Sequence, residues 1–189
     1  MVSHSPLTRA LYESELYFSS SGRETRAATQ ALVGAAQQGG LAVTKFAASI
    51  WMEVLMKVEG SCHCGQITYE AEIDPDSVHI CNCTDCQMLT GSGFRVAAHA
   101  PATTFRLVTG QPKVYVKTAQ SGSKRRHSFC PNCGTPVRSS ADTDDPLTYS
   151  LRVGCLKQRA QLPPKKRNWC RSALVWAQNI SVLPGKDTQ

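Results

Sequence analysis

No apolar run in this sequence reaches the roughly 18 residues that a membrane-crossing helix needs. The longest candidate, LAVTKFAASIWMEVLM at 41–56, carries Lys45 and Glu53 and reads as an amphipathic segment. The beginning of the chain lacks a basic start, an apolar stretch and a small-residue cleavage site in series, so no secretory leader is expected and the chain reads as cytoplasmic. Aromatic residues make up only 7% and do not interleave with the basic runs, which disfavours a binder of single-stranded nucleic acid. No Ser-His-Asp set and no phosphate-cradling glycine loop is evident. The first 55 residues contain no cysteine.

All nine cysteines therefore fall in the remainder. A reducing compartment disfavours structural disulfides, and an odd number cannot pair completely, so grouped cysteines point to metal. Charge is just as uneven. The chain has 21 Lys/Arg and 14 Asp/Glu; four of each lie up to Leu55, leaving 17 against 10 and the whole net +7 beyond it. That part faces its partners as a cation, which suits acidic small molecules or a polyanion.

Residues 1–55 read as an extension, helical or disordered. Ala, Gln, Glu and Arg favour a weak helix over 24–38, ended by Gly39 and Gly40, and a second helix fits 41–56. MKVEGSCHCG looks like a natural beginning, with Met52 or Met56 as its start. From there to about residue 185 the texture is that of a mainly β domain, with 186–189 as a tail. QITYEAE (66–72) alternates Ile67, Tyr69 and Ala71 with polar neighbours, as a half-buried strand does. Similar segments lie at 94–99, 104–108, 113–118, 125–129, 135–139 and 147–153, separated by turn residues. TDCQMLTG (84–91) has room for one helical turn capped by Thr84 or Asp85.

The cysteines form three groups: GSCHCGQ with Cys62 and Cys64, CNCTDC with Cys81, Cys83 and Cys86, and FCPNCGT with Cys130 and Cys133. The last is a zinc-knuckle half-site, in which Gly134 permits the positive φ of a tight turn. It needs two more thiolates for a tetrahedron with Zn–S bonds of about 2.3 Å. Cys62 and Cys64, on one face of an extended segment, can supply them. Cys81, Cys83 and Cys86 then remain as a trio with one position open for water or substrate. A fourth protein ligand would make the trio structural instead; His79, His63, His127, Cys155 and Cys170 are the candidates. A redox role for Cys83 and Cys86 lacks a thioredoxin-like βαβ context.

The segments GSCHCGQITYE, CNCTDCQMLTGSGF, TGQPKVY, FCPNCGTPV and RNWCRSALVW occur in an order and spacing that resembles the glutathione-dependent formaldehyde-activating (Gfa) family, which includes the centromere protein V-like proteins. The resemblance covers roughly 56–185. It implies a mostly β, Mss4-like zinc-bound fold. It implies a structural zinc on the positions of Cys62, Cys64, Cys130 and Cys133, and a second zinc on those of Cys81, Cys83 and Cys86. The implied activity is that of S-(hydroxymethyl)glutathione synthase, a carbon–sulfur lyase, with a small-molecule thiol and an aldehyde as partners. Gln87 stands where the family often has Arg.

Under this reading an incoming thiol meets the metal of the trio, so Cys81, Cys83 and Cys86 form the catalytic set. The carboxylates of glutathione call for cations. Arg95, Lys124, Arg125, Arg126, Arg138 and Arg171 are candidates, with Arg126 and Arg138 favoured because they flank the knuckle. Phe94, Phe129, Trp169 and Trp176 are candidates for a wall. The competing expectation is a non-catalytic zinc-stabilised module that binds glutathione or a polyanion through SGSKRR (121–126) and PPKKRN (163–168). A nucleic-acid partner is the lesser of these expectations, and no membrane is expected.

Overall fold

A computed structural model describes residues 55–119 and 122–188. The helix expected over 24–38 lies outside them, as does all but the end of the one expected over 41–56. The unit that contains the cysteines spans Val54–Gln189. Its elements are β1 (Met56–Ser61), β2 (Thr68–Ile73), β3 (His79–Cys81), α1 (Thr84–Thr90), β4 (Arg95–Pro101), β5 (Arg106–Thr109), β6 (Lys113–Thr118), β7 (Lys124–Phe129), β8 (Pro136–Ala141), β9 (Thr148–Arg152) and β10 (Lys166–Asn168). Short 3-10 turns fill several connections. No helix among the described residues is long and apolar enough to cross a membrane.

The strands form two sheets. One has the order β1-β2-β5, the other β10-β3-β4-β9-β8-β7-β6. All pairings are antiparallel except β10 with β3, which run parallel. The core takes Val58, Tyr69, Ala71 and Ile73 from the small sheet and Ala98, Ala100 and Leu151 from the large one. Each fully buried Ile or Leu stabilises by about 1.5–3 kcal/mol relative to exposure. Gly60 pairs with Tyr69 across β1 and β2. A Cβ at residue 60 would come within 2.1 Å of the Tyr69 ring, so the glycine lets that ring lie flat over the strand.

Strand register decides what the large sheet shows on its other face. Directly opposed residues share a face, and so do residues two apart on one strand. Cys81 pairs with Arg95, and His79 with Ala97, which pairs in turn with Arg152. His99 pairs with Ser150, Ser150 with Ser139, Ser139 with His127, and Arg125 with Lys117. These side chains therefore crowd one face, which is cationic and polar, while on β4 and β9 the opposite face carries the core residues Ala98, Ala100 and Leu151.

Candidate metal centre

The CxCG and CPNCG segments fold as two matched turns. Gly65 and Gly134 both take a left-handed φ, 76° and 73°. In each turn a backbone N–H of the glycine closes on the first cysteine carbonyl, Gly65 to Cys62 at 3.1 Å and Gly134 to Cys130 at 2.9 Å. The turns bring Cys62, Cys64, Cys130 and Cys133 together, with all four sulfurs within 4.8 Å of one another. Four sulfurs at about 2.3 Å from one ion lie about 3.8 Å apart. The Cys62–Cys64 and Cys64–Cys130 separations are 3.5 and 3.7 Å, so the set fits a tetrahedral ion. Donors reach two of the four sulfurs. Ile67 N–H donates to Cys62 Sγ at 3.2 Å. The hydroxyl of Thr135, 3.2 Å from Cys133 Sγ, is the main cause that pushes that thiol down to about 5. Four cysteines fill a tetrahedral ion's positions, so the centre is closed and structural in character, with Cys62 and Cys130 buried and Cys64 exposed.

The second cluster is built at the end of β3 and the start of α1. Cys81 ends the strand. Cys83 is the N-cap of the helix, its Sγ accepting from Cys86 N–H at 3.4 Å. The cap expected at Thr84 or Asp85 therefore falls one residue earlier, on a cysteine, because sulfur can accept the N–H that an oxygen usually takes. Gly91 closes the helix in the left-handed conformation. The three sulfurs lie within 4.8 Å of one another, Cys81 and Cys83 at 3.6 Å, which again suits one ion. The Cys86 thiol hydrogen-bonds Cys81 and pushes it down to about 5. The same bond, with burial, pushes Cys86 up. Binding of a divalent metal would release the protons that the trio still holds.

No fourth His, Cys, Asp or Glu among the described residues joins this trio. The five candidates for that position are engaged elsewhere or apart. His63 lies outside the trio's group, its backbone N–H donating to Thr135 Oγ1 beside the other cluster at 3.2 Å. Cys155 Sγ lies 3.2 Å from the Pro136 carbonyl, and Cys170 is exposed beside the Arg167 carbonyl. His79 uses Nδ1 on the Ser77 carbonyl at 2.9 Å, and its ring stacks on His99. His127 stands against Arg152.

The trio opens onto a cavity of about 1340 Å³ over the cationic face of the large sheet. Its floor carries Arg95, Arg125, His127 and Arg152, and its walls carry Lys117, Trp169 and Arg171. Trp169 has φ 57°, the one left-handed non-glycine residue among those described, and Arg171 lies over its ring at 5.0 Å. Such a backbone is uncommon for a bulky residue. Gln87 bridges the base of the helix, its Nε2 donating to the carbonyls of Asn82 and Ser172, both at 2.8 Å. It ties α1 to the segment that carries Trp169 and Arg171.

Neither Arg126 nor Arg138, the two cations favoured from the sequence, lines this cavity. Strand alternation turns Arg126 away from Arg125, and its Nε donates to Asp142 at 2.6 Å. Arg138 lies on the core side, 4.2 Å above the Phe105 ring and 3.9 Å above Tyr149. Of the other cations singled out in the sequence, Arg95, Arg125 and Arg171 line the cavity and Lys124 does not. Sequence patterning missed Arg152 and Lys117; the strand pattern around each was the available signal. Trp169 lines the cavity, whereas Phe94, Phe129 and Trp176 do not.

A crystal structure of a Rhodobacter sphaeroides protein, solved in structural genomics, is 23% identical in sequence with a TM-score of 0.47, covering 58% of this chain and 99% of that one. The sequence profile of the glutathione-dependent formaldehyde-activating enzyme family matches residues 57–172. With that match over more than half of its length, and with cysteine clusters of four and three each able to hold a metal, the chain belongs to the glutathione-dependent formaldehyde-activating enzyme family.

Proposed function

We propose that this chain is a zinc-dependent carbon–sulfur lyase-like enzyme, joining a thiol such as glutathione to a small aldehyde such as formaldehyde. The supporting observation is the trio of Cys81, Cys83 and Cys86, spaced for one ion and lacking a fourth protein ligand among the described residues. A zinc ion held there would offer one position to an incoming sulfur and keep it as thiolate near neutral pH, where a free thiol of pKa about 8.5 is mostly protonated. Three cysteinates around a divalent ion sum to one negative charge, which weakens any pull on a carbonyl oxygen and favours activation of sulfur. In the reaction a C–S bond forms, the C=O π pair moves to oxygen, and the proton lost from sulfur ends on that oxygen. The product is an S-hydroxymethyl adduct.

The chain's own side chains supply the rest. Arg95, Arg125, Arg152 and Arg171 draw an acidic thiol into the cavity. Trp169 gives it an apolar edge. A reducing cytoplasm, which keeps cysteines as thiols, belongs to the same proposal. The polyanion-binding alternative has less support, because the basic runs are broken up: Arg125 faces the cavity, Arg126 pairs with Asp142 and Arg167 meets Gln178.

The test compares wild type with Cys83→Ser, both prepared with the same supply of zinc, in glutathione and formaldehyde. Exchange NMR reads the rate of adduct formation. The expected result is acceleration by wild type and loss of it in the variant. Equal rates from the two proteins would refute the assignment.

A further inference from the structure

Four nitrogen donors buried in this cavity's lining residues have no hydrogen-bond partner: Arg95 Nε and Nη2, Arg152 Nε and His127 Nε2. Arg95 is 4% exposed and Arg152 7%. A buried cation without a counter-charge is among the costliest features a fold can carry. Here two sit on one face, linked through the row that pairs Ala97 with Arg152 and through the alternation of Arg95 and Ala97 on β4. Burial, and then the charge of Arg95, push Arg152 down to about 9.

The histidine adds a donor. Arg152 Nη2 lies 3.3 Å from His127 Nδ1. A guanidinium has no acceptor, so His127 Nδ1 must accept, and the ring proton sits on Nε2. The four orphaned atoms are thus all N–H donors. The acidic residue lining the cavity, Asp85, is engaged by Lys117. The trio, opposite Arg95 through Cys81, carries one net negative charge when it holds a divalent ion. That offsets one arginine and leaves the other unbalanced.

We propose that Arg95, Arg152 and His127 form a receptor for one carboxylate of the ligand, set beside the three-cysteine cluster. Planar guanidinium forks match the two oxygens of a carboxylate, and the imidazole N–H adds a third direction. Cross-strand neighbours have Cβ atoms about 4.5–5.5 Å apart and strands lie about 4.8 Å apart, so the receptor stands on the order of 5–10 Å from the sulfurs. The assignment of the ligand rests on the thiol–aldehyde proposal. The carboxylate belongs either to the thiol or to an oxo-acid used as the aldehyde.

Binding is measured first with S-methylglutathione, which keeps both carboxylates but has no free thiol to react. Calorimetry on the zinc-loaded full chain should show saturable binding that the diethyl ester lacks. Arg152→Met should weaken it at least about tenfold, the usual scale for a lost charge-assisted hydrogen bond, with Arg152→Lys in between. Without ligand, Arg152→Met should melt at a higher temperature than wild type, because it removes an unbalanced buried cation. A lower melting temperature with unchanged affinity would make Arg152 a structural residue and overturn the receptor. So would equal binding of the diester, or tighter binding of inorganic phosphate. Turnover with cysteamine, a thiol without a carboxylate, then locates the anion. Dependence on Arg152 with glyoxylate but not formaldehyde assigns the carboxylate to the aldehyde; dependence with glutathione and formaldehyde assigns it to the thiol. Absence of turnover with intact, Arg152-dependent binding refutes the enzyme and leaves the receptor standing.

Discussion

Replacing Cys130 and Cys83 separately by serine should separate a clip from a reactive site. The four-cysteine centre joins Cys64 to Cys130, 66 residues apart, and holds the end of β1 against the end of β7. A cross-link closing a loop of that length removes chain entropy worth about 4 kcal/mol from the unfolded state. A domain of this size has a total stability of only about 5–15 kcal/mol. Cys130→Ser removes one thiolate of that clip from a fully buried position. Its melting temperature should fall by roughly 12–16 °C, at about 3–4 °C per kcal/mol for a unit of this length. Cys83→Ser should behave differently. Serine is among the best N-cap residues, so α1 keeps its first-turn hydrogen bond. The trio spans only Cys81 to Cys86, whose ends β3 and α1 already fix, so the cost should stay under about 1 kcal/mol. Urea melts, with zinc counted per chain for each protein, read both effects. Cys130→Ser should lose stability and one zinc, Cys83→Ser one zinc alone. Equal losses of stability, or a Cys130→Ser cost below about 1 kcal/mol, would refute the division into clip and open site.

Tyr69 Oη is buried without a partner, so Tyr69→Phe should raise stability by about 1 kcal/mol in a urea melt while the ring keeps its stack on Phe105. Burial, then the neighbouring charges of His79, Lys166, Arg125 and Arg152, hold the His99 imidazole down to about 4. Its folded value lies below the unfolded value of about 6.5, so the folded state binds fewer protons between them. Stability tied to His99 is therefore full above about pH 6.5 and declines as pH falls toward 4; His99→Gln should flatten that part of a stability–pH curve relative to wild type.

The cysteine groups were legible because each is local. Ligands one to three residues apart, with Gly65 and Gly134 behind them, fix their own geometry wherever the chain folds. The strands with apolar alternation were legible too. β2, β4, β5, β6, β7, β8 and β9 lie within a few residues of the segments read from pattern. Three strands were not. β3 and β10 have three residues each, too few to show a period, and β3 sits inside a cysteine motif. β1, MKVEGS, buries only Val58 and Gly60, and glycine carries no pattern. The phase of β7 was the most consequential gap. In KRRHSF both faces are polar, so nothing in the residues says whether Arg125 or Arg126 turns toward the site. Pairing with β8 decides it, through Arg125 to Ala141 and Arg126 to Ser140. Register likewise decides the face of Arg138: its partner Leu151 is a core residue.

The same register bears on what kind of anion this surface serves. Excess positive charge beyond Leu55 was visible in the sequence, but its value depends on depth. A phosphate backbone meets cations that project into solvent, and such contacts dominate nucleic-acid affinity. Here Arg95 and Arg152 lie at the floor of a cavity, at 4% and 7% exposure, while Arg126 is spent on Asp142 and Lys117 on Asp85. Phosphates strung along a polymer meet projecting cations more readily than cations at that depth. A small flexible molecule with a carboxylate can enter and bring its sulfur alongside Cys81, Cys83 and Cys86. Low-dielectric walls then strengthen the attraction that draws it in. Depth, more than the sum of charges, favours a small acidic thiol over a polyanion.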